Sequence, residues 1–142
     1  MGTSYFEIYD RFLRKITDIK LAQVSESDMQ LILLGYMESA IAKFRKCKTD
    51  LSLRDNVLLA FDEELLDIEQ EIIALQMVSE WISPQLNSVL LTKQFVGWKE
   101  EKFFAQANQI DKLLALKEKS EQESRKLRRD YVYMNNEYLN RT

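Results

Sequence analysis

Three glycines and a single proline in 142 residues leave this chain nearly without turn residues. A sheet-built fold of that length would need a turn roughly every 8–12 residues. Turns draw on Gly, Pro, Asn and Asp because those residues reach or preset the required dihedrals. What remains is a set of long helices joined by short connections. The expected fold class is therefore all-α, a helical bundle.

Apolar periodicity divides the chain accordingly. Phe6, Ile8, Tyr9, Phe12, Leu13 and Ile16 recur at three- and four-residue spacing, which predicts a first helix from Ser4 to about Ile19, with Gly2-Thr3-Ser4 an unstructured start. Ser25 lies three residues before Asp28, an arrangement that caps a helix N-terminus. From there Met29, Ile32, Leu33, Tyr36, Met37, Ala40, Ile41 and Phe44 carry an apolar face to about Cys47. Thr49 to Asp62 breaks the period and reads as a partly extended connection, with room for a short strand or a turn of helix, that lies on its own bundle or on a neighbour. Acids cluster at the next start, and Glu63 or Asp67 opens a third helix with Ile68, Ile72, Leu75, Val78 and Ile82 inward, widened by Ile73, Met77 and Trp81. Pro84 ends or kinks that helix, because it lacks a donor and biases Ser83 away from helical geometry. Gly97 marks a further break before the last helix.

The last helix is unusual. Its stripe of Phe103, Ala107, Ile110 and Leu114 stops near Leu116, and Lys117 to Asp130 holds Leu127 as its one large apolar residue. A helix polar on all sides for four turns is not buried in its own domain. An aromatic ending follows: Tyr131-Val132-Tyr133-Met134, then Tyr138-Leu139. The expectation is a bundle domain over 1–116 and, over 117–142, a long protruding C-terminal helix with an extended aromatic tail that docks on a partner. Candidate docking residues are Arg128, Tyr131, Val132, Tyr133, Met134, Tyr138 and Leu139. Trp81, Phe95, Trp98 and Phe103 are candidates for packing within or between subunits.

Chemistry is hard to place. The chain has no His, hence neither the commonest general base nor the commonest metal ligand. Cys47 is the lone cysteine, which excludes an internal disulfide. Lys46 and Lys48 would lower its pKa if their charges dominated, and a helix-end thiol without a role is the plainer reading. Adjacent carboxylates such as Glu63 and Glu64 point about 100° apart on a helix and form no shared acid–base pair. Phosphate-cradling glycine loops are missing. No catalytic residue, cofactor or metal is expected.

Net charge of −3 opposes general nucleic-acid binding. Arg125, Lys126, Arg128 and Arg129 form a local basic cluster, but Glu118, Glu121 and Glu123 lie at spacings that pair with it. The opening Met1 to Tyr9 lacks the regions of a signal peptide, Gly2 alone does not establish lipidation, and no run reaches the ~18 apolar residues of a membrane span.

Glu80-Trp81-Ile82-Ser83-Pro84-Gln85-Leu86-Asn87-Ser88, Lys93-Gln94-Phe95-Val96-Gly97 and Glu101-Lys102-Phe103-Phe104-Ala105-Gln106-Ala107-Asn108 resemble the small neck proteins of tailed bacteriophages infecting Gram-positive bacteria, the head–tail connectors or adaptors. The resemblance lies in the C-terminal half. It implies a helical virion protein made in the host cytoplasm and resident in the neck, closed into a homo-oligomeric ring of about twelve copies. It further implies that the C-terminal segment docks on the portal protein, that a further neck or tail-completion protein binds below, and that DNA passes through the lumen without specific binding. The alternative is a small helical regulator or assembly scaffold that pairs with its target through the last helix.

Overall fold

The computed structural model describes residues 2–16, 19–96 and 100–135; the side chains of residues 19, 20 and 88–107 lie outside that description. Among the described residues the order is α1 (Tyr5–Leu13), α2 (Ile19–Gln23), α3 (Glu26–Lys43), β1 (Arg54–Asp55), β2 (Ala60–Phe61), α4 (Asp67–Val96) and α5 (Glu100–Met134). The chain is mostly helical, as its turn-poor sequence requires, with one small antiparallel hairpin added.

Helix starts follow their caps. Ser4 Oγ accepts from the Phe6 amide at 3.3 Å and Ser25 Oγ from the Asp28 amide at 3.3 Å. Helix α1 buries Tyr5, Ile8, Tyr9 and Phe12 and turns Phe6 outward. It ends at Leu13, not near Ile19, because the Lys15 amide tightens onto the Phe12 carbonyl at 2.9 Å. Helix α3 ends at Lys43, four residues before Cys47. Its buried face is Leu33, Met37 and Ala40.

The aperiodic stretch after Thr49 is the hairpin. Arg54 pairs with Phe61 and Asp55 with Ala60. The chain start is ordered too, contrary to the expectation of a loose Gly2-Thr3-Ser4. Ser4 bridges Ala60, the Phe61 amide donates to the Thr3 carbonyl at 2.8 Å, and the Leu65 amide donates to Thr3 Oγ1 at 2.8 Å. A Cβ on Gly2 would sit 2.2 Å from the Phe61 carbonyl oxygen, so only glycine passes there.

Helix α4 is the central element. Ile72, Ile73, Ala74, Leu75, Met77, Val78, Trp81 and Ile82 are all buried, and α1, α3 and α5 pack around it. Arg11 ties α1 to it through Asp67 at 2.9 Å and Glu71 at 3.1 Å, and Lys15 also pairs with Glu71. Pro84 does not end this helix, which runs through it to Val96. An interior proline costs about 3 kcal/mol. Burial of Trp81, Ile82 and Leu86 on both sides of it, at about 1.5–3 kcal/mol for each large apolar side chain, outweighs that cost.

The protruding arm is the main correction. Residues up to 135 lie back along α4: Tyr131 Oη donates to Glu69 Oε2 at 2.7 Å, and Arg128 donates to Gln76 Oε1. Tyr131 belongs to the same hydrophobic cluster as α1, α3 and α4, so no domain boundary separates 117–135 from the bundle. The inward stripe does not stop at Leu116. It continues as Ile110, Leu113, Leu116, Ser120, Ser124, Leu127 and Tyr131, while Leu114 faces solvent. Two of its members are buried serines, small enough to bring the helices together without an apolar side chain. The antiparallel register set by the bonds from Tyr131 and Arg128 brings Ser79 and Ser83 of α4 level with Ser124 and Ser120 of α5.

That seam is imperfect. Ser79 Oγ and Ser124 Oγ are buried with no hydrogen-bond partner, as is Tyr9 Oη. A buried unsatisfied hydroxyl costs about 1–3 kcal/mol. Ser124→Ala and Tyr9→Phe are therefore expected to raise stability by about 1 kcal/mol each, read as an increased urea midpoint with unchanged slope.

Candidate partner-docking surfaces

One rigid apolar tip stands on the hairpin. Asp55 Oδ1 accepts from the Val57 amide at 2.7 Å and the Leu58 amide at 3.1 Å, which closes the turn. Tyr5 Oη donates to Asn56 Oδ1 at 2.7 Å, and Asn56 donates in turn to Glu38 at 3.2 Å. Leu59 sits at φ 54°, a left-handed conformation unusual for leucine. Its carbonyl is tied to the Tyr5 amide at 2.9 Å. Held in this way, Val57 is 90% exposed and Leu58 72% exposed. The backbone strain and the outward apolar pair coincide at one turn, the pattern of a site shaped for contact.

The second surface is the end of α5, organised by a buried carboxylate. Glu69 is fully buried in the first turn of α4, and its Oε1 accepts from the Leu66 amide at 2.8 Å, the return half of a capping box. It also accepts from Thr49 Oγ1 at 3.0 Å, Cys47 Sγ at 3.1 Å and Tyr131 Oη. Burial alone would push the Glu69 carboxyl up. The bonds from Leu66, Tyr131, Cys47 and Thr49 together outweigh it and hold the group below the usual carboxylate range. Tyr131 Oη accepts from the Lys48 amide at 2.7 Å, and its ring stands edge-on to Phe44. Burial first, and then Glu69, raise its hydroxyl well above the ordinary tyrosine value. Three segments, the loop after α3, the start of α4 and the end of α5, thus meet on one carboxylate.

The same node decides Cys47. Burial and the bond to Glu69 push its thiol up to about 12, so it is not the activated thiolate that flanking lysines would produce.

The sequence-derived docking residues separate here. Tyr131 is 1% exposed and committed to the core, so it is not a docking residue. Arg128 is half-buried, donates to Gln76 and has a buried Nε without a partner; burial lowers its pKa. Val132 packs partly against the core. Tyr133 and Met134 are 64% and 63% exposed and remain on the surface. Tyr138 and Leu139 lie outside the described residues. Trp81 is buried in the core of its own chain, while Phe95, Trp98 and Phe103 fall outside the described side chains. Reading by periodicity missed Glu69, Val57 and Leu58. Glu69 three residues after Leu66 is a cap signal that the absence of Ser or Thr at the cap hides.

An open polar cleft of about 400 Å³ lies between α1 and the start of α4, lined by Arg11, Lys15, Asp67 and Glu71. Its charges pair across the two helices, and Lys15 and Arg11 hold the Glu71 carboxyl low against the opposing effect of burial. These ion pairs join the two helices, and Glu7, Asp10 and Arg14 line the cleft beside them. Among the described residues no three acidic or cysteine side chains gather to hold a metal ion, and no described helix is long and apolar enough to cross a membrane. Compared with known protein families, with curated proteins and with solved structures, the chain has no significant match.

Proposed function

We propose that this chain is a non-catalytic structural virion protein, a head–tail connector that closes into a ring between portal and tail. The observation that carries a docking role is the clamped hairpin tip, where Val57 and Leu58 face solvent on a turn fixed by four side-chain hydrogen bonds. Exposed apolar residues held rigidly lose little entropy on binding, which favours recognition of a protein surface. The resemblance of the Glu80–Asn108 stretch to phage neck proteins supplies the more specific reading. A net charge of −3 suits a conduit in which DNA slides without its phosphates being held.

In this reading the portal contact belongs to the chain end, with Tyr138 and Leu139 as its apolar anchors, because Tyr131 is taken up by the core. Deleting 136–142 is expected to change stability by less than about 0.5 kcal/mol while abolishing co-sedimentation with the portal. A truncated protein that still binds the portal at parental affinity would move the contact elsewhere. Mass spectrometry of purified particles tests the wider role. A connector remains at fixed copy number, whereas a regulator or scaffold is lost before maturation.

A further inference from the structure

We infer that the hairpin tip of one copy docks onto the α5 end of a second copy, head to tail. This rests on the reading of the chain as a ring subunit and identifies the two faces that meet. The tip is an apolar pair with an acidic rim. Asp55 and Asp62 share one surface recess with Asn56 beside the turn, and Glu38 accepts from Asn56, against one cation, Arg54, which donates to the Leu51 carbonyl at 2.9 Å. The α5 end is an apolar pair with a basic rim. Lys126 and Arg129 precede Tyr133 by seven and four residues on an exposed helix, which places all three on one face. Arg45, Lys46 and Lys48 are exposed at the adjoining corner, brought there by the bond from the Lys48 amide to Tyr131. Against these five cations stand the exposed acids Asp50, Glu123 and Asp130, which leaves the rim net positive.

The complementarity selects the occupant. Tip against tip would set acids against acids, and α5 end against α5 end would set cations against cations. Tip against end joins opposite rims and buries Val57, Leu58, Tyr133 and Met134 together. Such a contact is heterologous. Each pair keeps one open tip and one open end, so the contact repeats and closes into a ring when the rotation permits. The two patches are pinned to different parts of the fold, the tip to Tyr5 and Glu38, the end to Lys48 and Glu69.

The test is sedimentation equilibrium of the full chain and of two variants, Val57→Asp/Leu58→Asp and Arg129→Glu/Tyr133→Ser, with circular dichroism confirming the wild-type fold of each. Each variant alone is expected to self-associate at least about thirtyfold more weakly than wild type, the loss typical of an interface hot spot. Wild-type association should weaken as salt rises. Mixing the variants should give one-to-one heterodimers that grow no further, since one keeps a sound end and the other a sound tip. The charge-only variant Asp62→Lys, which leaves the apolar tip intact, should also associate more weakly. Wild-type-sized oligomers in both variants would overturn these faces and leave the ring reading standing. Variants that are each monomeric yet fail to pair when mixed would show that the two faces do not meet each other. A wild-type chain that stays monomeric, with no rings on imaging, would overturn both the faces and the ring.

Discussion

Tyr131→Ala is expected to destabilise the protein by about 3–5 kcal/mol, the cost of truncating a buried aromatic side chain. The ring fills space beside Phe44, and its hydroxyl serves both Glu69 and the Lys48 amide. Removal leaves a cavity and takes the acceptor from the Lys48 amide. A domain of this size has about 5–15 kcal/mol in hand, so the variant should sit near the edge of folding. Urea denaturation followed by circular dichroism measures the loss. Hydrogen exchange adds its location, with the last turns of α5 losing protection first. Tyr131→Phe keeps the ring and should lose only about 1–3 kcal/mol. If Tyr131→Ala melts at the parental temperature, the end of α5 is not seated on the core.

Glu69 carries the second large effect. Replacing it by Ala leaves Cys47, Thr49, the Leu66 amide and Tyr131 without their shared acceptor, and a loss above about 4 kcal/mol is expected. Gln is no rescue, since its amide turns two donors toward groups that already donate. The carboxyl is held low in the folded protein, so the unfolded chain binds its proton at the higher pH. Stabilisation from Glu69 is therefore complete above the unfolded glutamate value, about 4.3, and is lost as pH falls through the folded value. Glu71 acts in the same direction. Stability measured against pH should fall steadily below about 4.3 in the wild type and more shallowly in Glu69→Gln. An identical acid slope in the two proteins would remove Glu69 from this role.

What was hidden in the sequence was hidden for identifiable reasons. The inward stripe of α5 passes through Ser120 and Ser124, and a reading that counts only large apolar residues loses the period there. Once those serines are counted as small packing residues, spacings of three and four run unbroken from Ile110 to Tyr131. Pro84 is the opposite case, since the helix does not end there. Its local preference is real, but Trp81, Ile82 and Leu86 are buried on both sides of it, and that burial is a property of the bundle. The aperiodic 49–62 arm was open to a place on its own bundle or on a neighbour, but Val57 and Leu58 are ordinary core residues by type, and nothing beside them says that the turn aims them outward.

Helical class, the Ser25 cap and the inner face of α4 followed from the sequence alone. Each depends on interactions within a few residues: the dearth of turn formers, a hydroxyl beside free amides, an apolar spacing of three and four. The path of α5, the ordered start at Gly2 and the Glu69 node were decided only by tertiary structure. Each joins residues far apart in the chain: Tyr131 with Glu69, Thr3 with Phe61, Cys47 with Glu69. A buried carboxylate is tolerable only when donors from other segments arrive to satisfy it, and no local pattern announces that they will.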